Sequence, residues 1–222
     1  MTEAKKVLKE GSNKVTVVGT LVEKNLEEKS YTNSQTGETV EQIVGTISVR
    51  TGENEVHQVR LRSNKFSKKG KVYSLYKEYL KVRNEYISQA DVAEAAQNGI
   101  ELVADVVSVN GKLRPFQQIN GVSIKRIEDK EQHFQANFEA KIKIDRALVE
   151  VGSEGEVTIE AEVIDNNPFN LTFLSPIEAA EFFLEYDLRG KLKVGGEILS
   201  KTKCNKYVAE FLINNGALLY ED

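Results

Sequence analysis

Between Arg60 and Arg83 the chain places nine cations, Arg60, Arg62, Lys65, Lys68, Lys69, Lys71, Lys77, Lys81 and Arg83, against one acid, Glu78. Phe66, Tyr73, Tyr76 and Tyr79 are interleaved with them. Cations at this density neutralise phosphates and release their counterions, and aromatic rings among them offer stacking platforms worth about 1–3 kcal/mol per base. The segment is suited to holding a flexible polyanion. A solvated basic loop followed by a helix with buried tyrosines is the plainer reading, and for Tyr76 and Tyr79, which fall on an apolar stripe, burial is the expectation.

Two further segments carry the same chemistry. The long connection Glu23–Glu38 has Tyr31-Thr32-Asn33-Ser34-Gln35-Thr36-Gly37 at its tip, either a ribbon able to close over a strand or a surface loop, and Tyr31 is its candidate stacking ring. The segment Asn110–Gln118 supplies Lys112, Arg114 and Phe116, and Pro115 marks it as an edge or an exposed finger. Arg50 adds a cation one strand away from Arg60 and Arg62.

Bond-making chemistry has no comparable constellation. The two histidines, His57 and His133, are far apart in sequence and lack cysteines at metal-binding spacing. Cys204, the single cysteine, has no evident partner, and it excludes an internal disulfide framework. Neither a phosphate-cradling G-x-x-x-x-G-K-[ST] nor a G-x-S-x-G occurs. The expectation is a binding protein and not an enzyme, without catalytic residues, metal or cofactor. No apolar run reaches the roughly 20 residues that span a bilayer, and a cytoplasmic protein is expected.

The elements that must position these residues are mostly strands. Lys14–Val22 alternates, with Val15, Val17, Gly19 and Leu21 on one face. Val40–Arg50 points Ile43, Gly45, Ile47 and Val49 one way and Gln42, Thr46, Ser48 and Arg50 the other. Val56–Arg62 turns His57, Val59 and Leu61 inward and Gln58, Arg60 and Arg62 outward. The period then changes to that of a helix over Val72–Val82, and a second short helix is capped by Ser88 and stopped at Asn98-Gly99. Strands follow at Ile100–Val109, Lys112–Phe116 and Val122–Ile127, with Asn110-Gly111 as the expected turn. Three strands, a helical segment and further strands make the order of an OB-fold, a five-stranded Greek-key barrel.

The order repeats. Phe138–Val151, Glu156–Asp165 and Phe169–Leu174 read as strands, Ser175-Pro176 opens a helix through Tyr186, and Leu188–Leu199 and Tyr207–Ile213 close the unit. Val109-Asn110-Gly111-Lys112-Leu113 is echoed by Val194-Gly195-Gly196-Glu197-Ile198. The expected fold is mainly β, two OB-fold-like barrels in tandem, each with a helical segment between its third and fourth strands. A basic domain would span 1–130 and an acidic one 131–222, joined near Glu128–Gln132. Residues 1–130 carry 21 Lys and Arg against 17 Asp and Glu, whereas residues 131–222 carry 9 against 17. The overall charge of −4 does not oppose polyanion binding, because a local patch sets the field at a groove.

Val44-Gly45-Thr46-Ile47-Ser48-Val49, the ribbon Tyr31–Gly37 and Val109-Asn110-Gly111-Lys112-Leu113-Arg114 resemble the first barrel of OB-fold single-stranded-DNA-binding proteins, in the style of those encoded by phage replication modules. The resemblance covers mainly residues 14–127. It implies binding of single-stranded DNA without sequence specificity, in replication or recombination, with RNA as an alternative ligand. Arg50, Arg60, Arg62, Lys65, Lys68, Lys69, Lys71, Lys112 and Arg114 would meet phosphates, and Tyr31, Phe66, Tyr73 and Phe116 would stack bases. Family members often end in a long acidic tail, and here only Glu221-Asp222 follow Tyr220. The acidic second domain is a candidate for docking replication or recombination proteins instead. The rival expectation is a structural or assembly protein, of phage-tail or scaffold type, that uses the same fold without nucleic acid.

Overall fold

The structure is a computed structural model that describes residues 13–128, 133–144, 150–151, 156–176, 191–203 and 206–219. Its first barrel is built from β1 (Asn13–Thr32), β2 (Thr39–Arg50), β3 (Val56–Asn64), β4 (Val106–Arg114) and β5 (Gln118–Ile127). The strands follow one another in the order β2-β3-β5-β4-β1, and pairing of β2 with β1 closes the ring. The pairing of β3 with β5 is parallel, Val59 beside Ile119, which makes the ring a Greek key.

The second barrel repeats that wiring with β6 (Gln135–Lys143), β8 (Glu156–Val163), β9 (Phe169–Pro176), β10 (Lys191–Lys203) and β11 (Lys206–Leu219), in the order β6-β10-β11-β9-β8 closed by β6–β8. Again the third strand runs parallel to the fifth, Leu174 beside Leu212. A two-residue strand, β7 (Glu150–Val151), extends the pairing of β8.

Period-two patterning produces these strands, with one departure on β2, where Ser48, expected on the outward face, is buried. Val15, Val17 and Leu21 of β1, Ile43, Ile47 and Val49 of β2, and His57, Val59 and Leu61 of β3 are all buried, while Gln58, Arg60 and Arg62 are exposed. The second core is aromatic, with Phe138, Phe173 and Phe211 packed at centroid separations of 5.7, 5.7 and 6.0 Å among Ile142, Ile159, Val163 and Val194. Each such ring removes a large apolar area from water, at roughly 25 cal/mol per Å².

Two helices, α1 (Ser74–Glu85) and α2 (Gln89–Gln97), connect β3 to β4. Tyr76, Tyr79 and Val82 form the buried stripe of α1, and the Tyr79 hydroxyl donates to the carbonyl of Gly121 at 2.9 Å. The Lys24 ammonium donates to the carbonyls of Arg83 and Tyr86 and pairs with Asp91 at 3.2 Å. It thereby satisfies acceptors that the end of α1 leaves open. Ser88 caps α2 in a reciprocal box with Asp91, and Gly99 (φ +73°) ends it.

Several expectations need correction. Residues 100–105 are not strand, and β4 begins at Val106. Asn110-Gly111 is no turn, because β4 runs through it to Arg114. A Cβ at Gly111 would lie 2.6 Å from the Asn120 carbonyl oxygen, so this glycine serves a close approach between strands and not chain reversal. Its echo, Gly196, stands in the fourth strand of the second barrel against the Leu212 carbonyl, which a Cβ would meet at 1.9 Å. The reversal occurs instead at 115–117, where Phe116 and Gln117 adopt φ of +64° and +54°. Ser175 and Pro176 end β9, and the remainder of the helix expected there, like Cys204, most of the linker and the acidic terminus, lies outside the described residues.

The chain divides into two compact units. One comprises residues 16–111 and 119–135, and the other residues 13–15, 112–118 and the described residues from 136 onward. The tip of the β4–β5 hairpin therefore belongs to the unit of the second barrel, and each unit draws on separated stretches of sequence.

Candidate nucleic-acid interface

Strand register places the first-barrel candidates on one surface. Arg60 pairs with Thr46 and Arg62 with Val44, while Asn25 and Glu27 of β1 stand on the other side of the same two residues. The rows Asn25–Thr46–Arg60 and Glu27–Val44–Arg62 thus share an outward face three strands wide. Arg62 is oriented by its Nε, which donates to Oε1 of Gln42 at 2.9 Å. Arg60 is exposed and has no ion-pair partner among the described residues. Acids share the face at Glu23 and Glu27, and Glu27 is drawn to Lys29 at 2.5 Å.

Beyond β3 the chain folds into a narrow finger over residues 65–73. The Lys65 N–H donates to the carbonyl of Glu41 at 2.8 Å, the Tyr73 N–H to that of Lys65 at 2.9 Å, and Phe66 and Val72 form an antiparallel bridge. Gly70 (φ +73°) supplies the left-handed turn at the tip. Lys68, Lys69 and Lys71 are exposed there and carry no ion pair among the described residues. Phe66 and Tyr73 each leave 45% of their surface to solvent, with Val72 beside them at 38%. Lys65 differs: its ammonium pairs with the Glu41 carboxylate and lies 5.3 Å from the centre of the Phe66 ring.

The connection after β1 is a ribbon. β1 and β2 stay paired to Thr32 and Thr39, and Tyr31 stands opposite Val40, exposed near the tip. Tyr76 and Tyr79 are buried and lie outside the surface, as expected of an apolar stripe. Burial and the hydrogen bond that Tyr76 donates to Glu28 at 2.7 Å push its hydroxyl up to about 12.

Three candidate cations are placed differently from expectation. Arg50 has the right strand parity but stands four residues beyond Thr46, about 13 Å along β2 at ~3.3 Å per residue. It is half-buried opposite Val56, and its Nε is enclosed without a hydrogen bond among the described residues. Lys112 and Arg114 converge instead on Asp165, at 3.3 and 3.9 Å. Asp165 is 6% exposed and also accepts from the Asn13 amide at 3.3 Å and the Asn166 N–H at 2.8 Å. Burial opposes its ionisation, but the Asn166 N–H and the two cations outweigh burial and hold the carboxyl below the ordinary aspartate value. Phe116 is 89% exposed on the strained reversal, which Gln117 secures by donating to the Thr172 carbonyl at 2.8 Å.

Sequence reasoning had no means of finding Asp165, Glu41 or Gln42, whose roles depend on register and on contacts distant in sequence. His57, expected inside the barrel, is 2% exposed, with Nε2 2.8 Å from the Thr51 hydroxyl. Burial lowers its pKa to about 4, with Glu55 opposing. Among the described residues no His, Cys, Asp or Glu group gathers to hold a metal ion, and no helix is long and apolar enough to cross a membrane.

The family model described as YorF matches residues 12–211. No curated protein matches the chain. Among solved structures the fold is similar to the wild-type single-stranded DNA binding protein from Thermus aquaticus, with 14% identity, 96% of this chain and 95% of that chain covered, and a TM-score of 0.52. A deletion mutant of that Thermus aquaticus protein aligns with 15% identity over 96% of both chains, also with a TM-score of 0.52. At such identities the likeness concerns the fold.

Proposed function

The chain belongs to the YorF family, and we propose that it holds single-stranded DNA, without sequence specificity, on the outward face of β1–β3 and the finger that follows. One observation carries this reading. Arg60 and Arg62 are turned outward on β3, and the same chain leads within a few residues to exposed Lys68, Lys69 and Lys71 and to half-exposed Phe66 and Tyr73. Phosphates are met by the arginines and the finger lysines, and bases stack on Phe66 and Tyr73, with Tyr31 added from the ribbon. The fold shared with the Thermus aquaticus protein, which is named for single-stranded DNA binding, agrees with it. Lys65 and Arg50 contribute less, since one is paired with Glu41 and the other is half-buried. A role in replication or recombination follows from the ligand, because both processes expose single strands.

The test is fluorescence anisotropy of a labelled dT oligonucleotide, with a matched duplex, across a salt series. Salt-sensitive preference for the single strand is expected. Alanine at Arg60 and Arg62 together is expected to make the log–log salt dependence shallower by about 1.4, since each phosphate contact on a single strand contributes ~0.7. Absence of binding at low salt would overturn the reading in favour of an assembly protein.

A further inference from the structure

The two barrels share one wiring, so their outward faces can be matched position by position. In the first, the parallel pairing of β3 with β5 sets Arg60 beside Asn120. In the second, the parallel pairing of β9 with β11 sets Leu174 beside Leu212. Stepping along each strand from that anchor, Arg62 corresponds to Pro176 and Gln58 to Thr172. On the neighbouring strand, Thr46 corresponds to Thr158 and the buried Ser48 to the exposed Glu160, which stand opposite Leu174 and Thr172. Arg50 corresponds to Glu162, opposite Asn170.

No cation stands on this matched β8–β9 surface. Residues 156–176 contain neither Lys nor Arg and carry Glu156, Glu160, Glu162 and Asp165. The nearest cation across a strand pairing, Lys143 of β6, stands directly opposite Glu162. The sequence after β9 has no counterpart of the lysine finger either, since residues 177–190 hold Glu178, Glu181, Glu185 and Asp187 against Arg189. Asp165 is neutralised by Lys112 and Arg114, so a strand of phosphates approaching this surface would meet the like charge of Glu160 and Glu162 without a cation on β8 or β9 to receive it.

We propose that nucleic acid occupies the first barrel alone, so that a tandem-barrel chain presents one single-strand site and its second barrel excludes the ligand. The proposal rests on the reading of the first-barrel face given above. It predicts a footprint of one OB domain, within the ~4–16 nucleotides typical of that fold, and not of two.

The experiment is a stoichiometric titration of poly(dT) with the full-length protein at low salt, read as nucleotides bound per chain. Parallel titrations use Arg60→Ala/Arg62→Ala and Glu160→Arg/Glu162→Arg, each checked for folding by circular dichroism. The wild type is expected to occlude no more than ~16 nucleotides per chain. The Arg60/Arg62 variant is expected to lose tenfold or more in affinity for poly(dT), and the Glu160/Glu162 variant to lengthen the footprint. A wild-type footprint near 30 nucleotides would overturn the proposal, and so would an Arg60/Arg62 variant that retains wild-type affinity through a second site. A wild type that binds no single strand would remove the functional reading itself, and this inference with it. Even if the arginine variant does not fold, the wild-type footprint decides the matter.

Discussion

In the first barrel the strand that runs parallel to the fifth turns Arg60 and Arg62 outward, while in the second the corresponding strand turns outward Asn170, Thr172, Leu174 and Pro176. The inward residues of both strands obey one rule, Val59 and Leu61 in one, Leu171 and Phe173 in the other. Closing a Greek-key barrel constrains the inward half of each strand and leaves the outward half free to vary. Two copies of one architecture can therefore diverge in charge without any change in topology, which is why function has to be read from the face and not from the fold.

The largest effect is expected from giving the first face the charge of the second. Arg60→Glu/Arg62→Glu replaces two phosphate contacts by two repulsions and should weaken dT binding by about a hundredfold or more at low salt, measured by anisotropy. Retained binding would mean that the ligand lies elsewhere. Next comes Phe66→Ala/Tyr73→Ala, which should cost about 1–3 kcal/mol for each stack lost and leave the salt slope unaltered. A changed slope would mean that the variant disturbs the finger lysines and does not act through stacking.

Acid separates the barrels as well. Burial holds His57 at about 4, below its ordinary value of 6.5, so the folded first barrel keeps it neutral while the unfolded chain takes up a proton. The stability this confers is complete above about pH 6.5 and is lost as pH falls from 6.5 through 4, on the order of 3 kcal/mol. Residues 136–222 contain no histidine. In the second barrel the depressed carboxyl of Asp165 confers stability above the ordinary aspartate value of about 3.9 and loses it below. Hydrogen exchange across a pH series should show the first barrel loosening earlier on acidification, and His57→Gln should flatten that difference. The smallest effect is expected from Lys112→Ala, which removes one of two cations facing Asp165. It should cost roughly 1 kcal/mol of second-barrel stability in thermal denaturation, with dT affinity altered less than twofold. A large loss of affinity would restore Lys112 to the binding surface.

Strand faces were legible because burial on a sheet has period two: Val15, Val17 and Leu21 inward, and Arg60 and Arg62 outward, follow from alternation alone. The buried stripe of α1 was legible for the same kind of reason at period 3.6. Asn110-Gly111 misled because the dipeptide that favours a tight hairpin also suits a close backbone approach within a strand, and only the neighbouring Asn120 carbonyl distinguishes the two. The engagement of Lys112 and Arg114 was illegible because their partner, Asp165, lies some fifty residues away in sequence. Lys65 looked free in a basic run, and the acid that neutralises it arrives through the β2–β3 register.

The hairpin tip 112–118 is counted with the second barrel although β4 and β5 complete the first. The architecture is tandem, but its parts are not separable beads on a string. A gene fragment ending at residue 130 would encode Lys112, Arg114 and Gln117 without Asp165 and Thr172, the groups they bind. A fragment beginning at 131 would lack the residues that neutralise Asp165. Exchange of one barrel between relatives by a single crossover would break these pairs unless both parents carried them, so the two barrels are expected to be inherited as one unit.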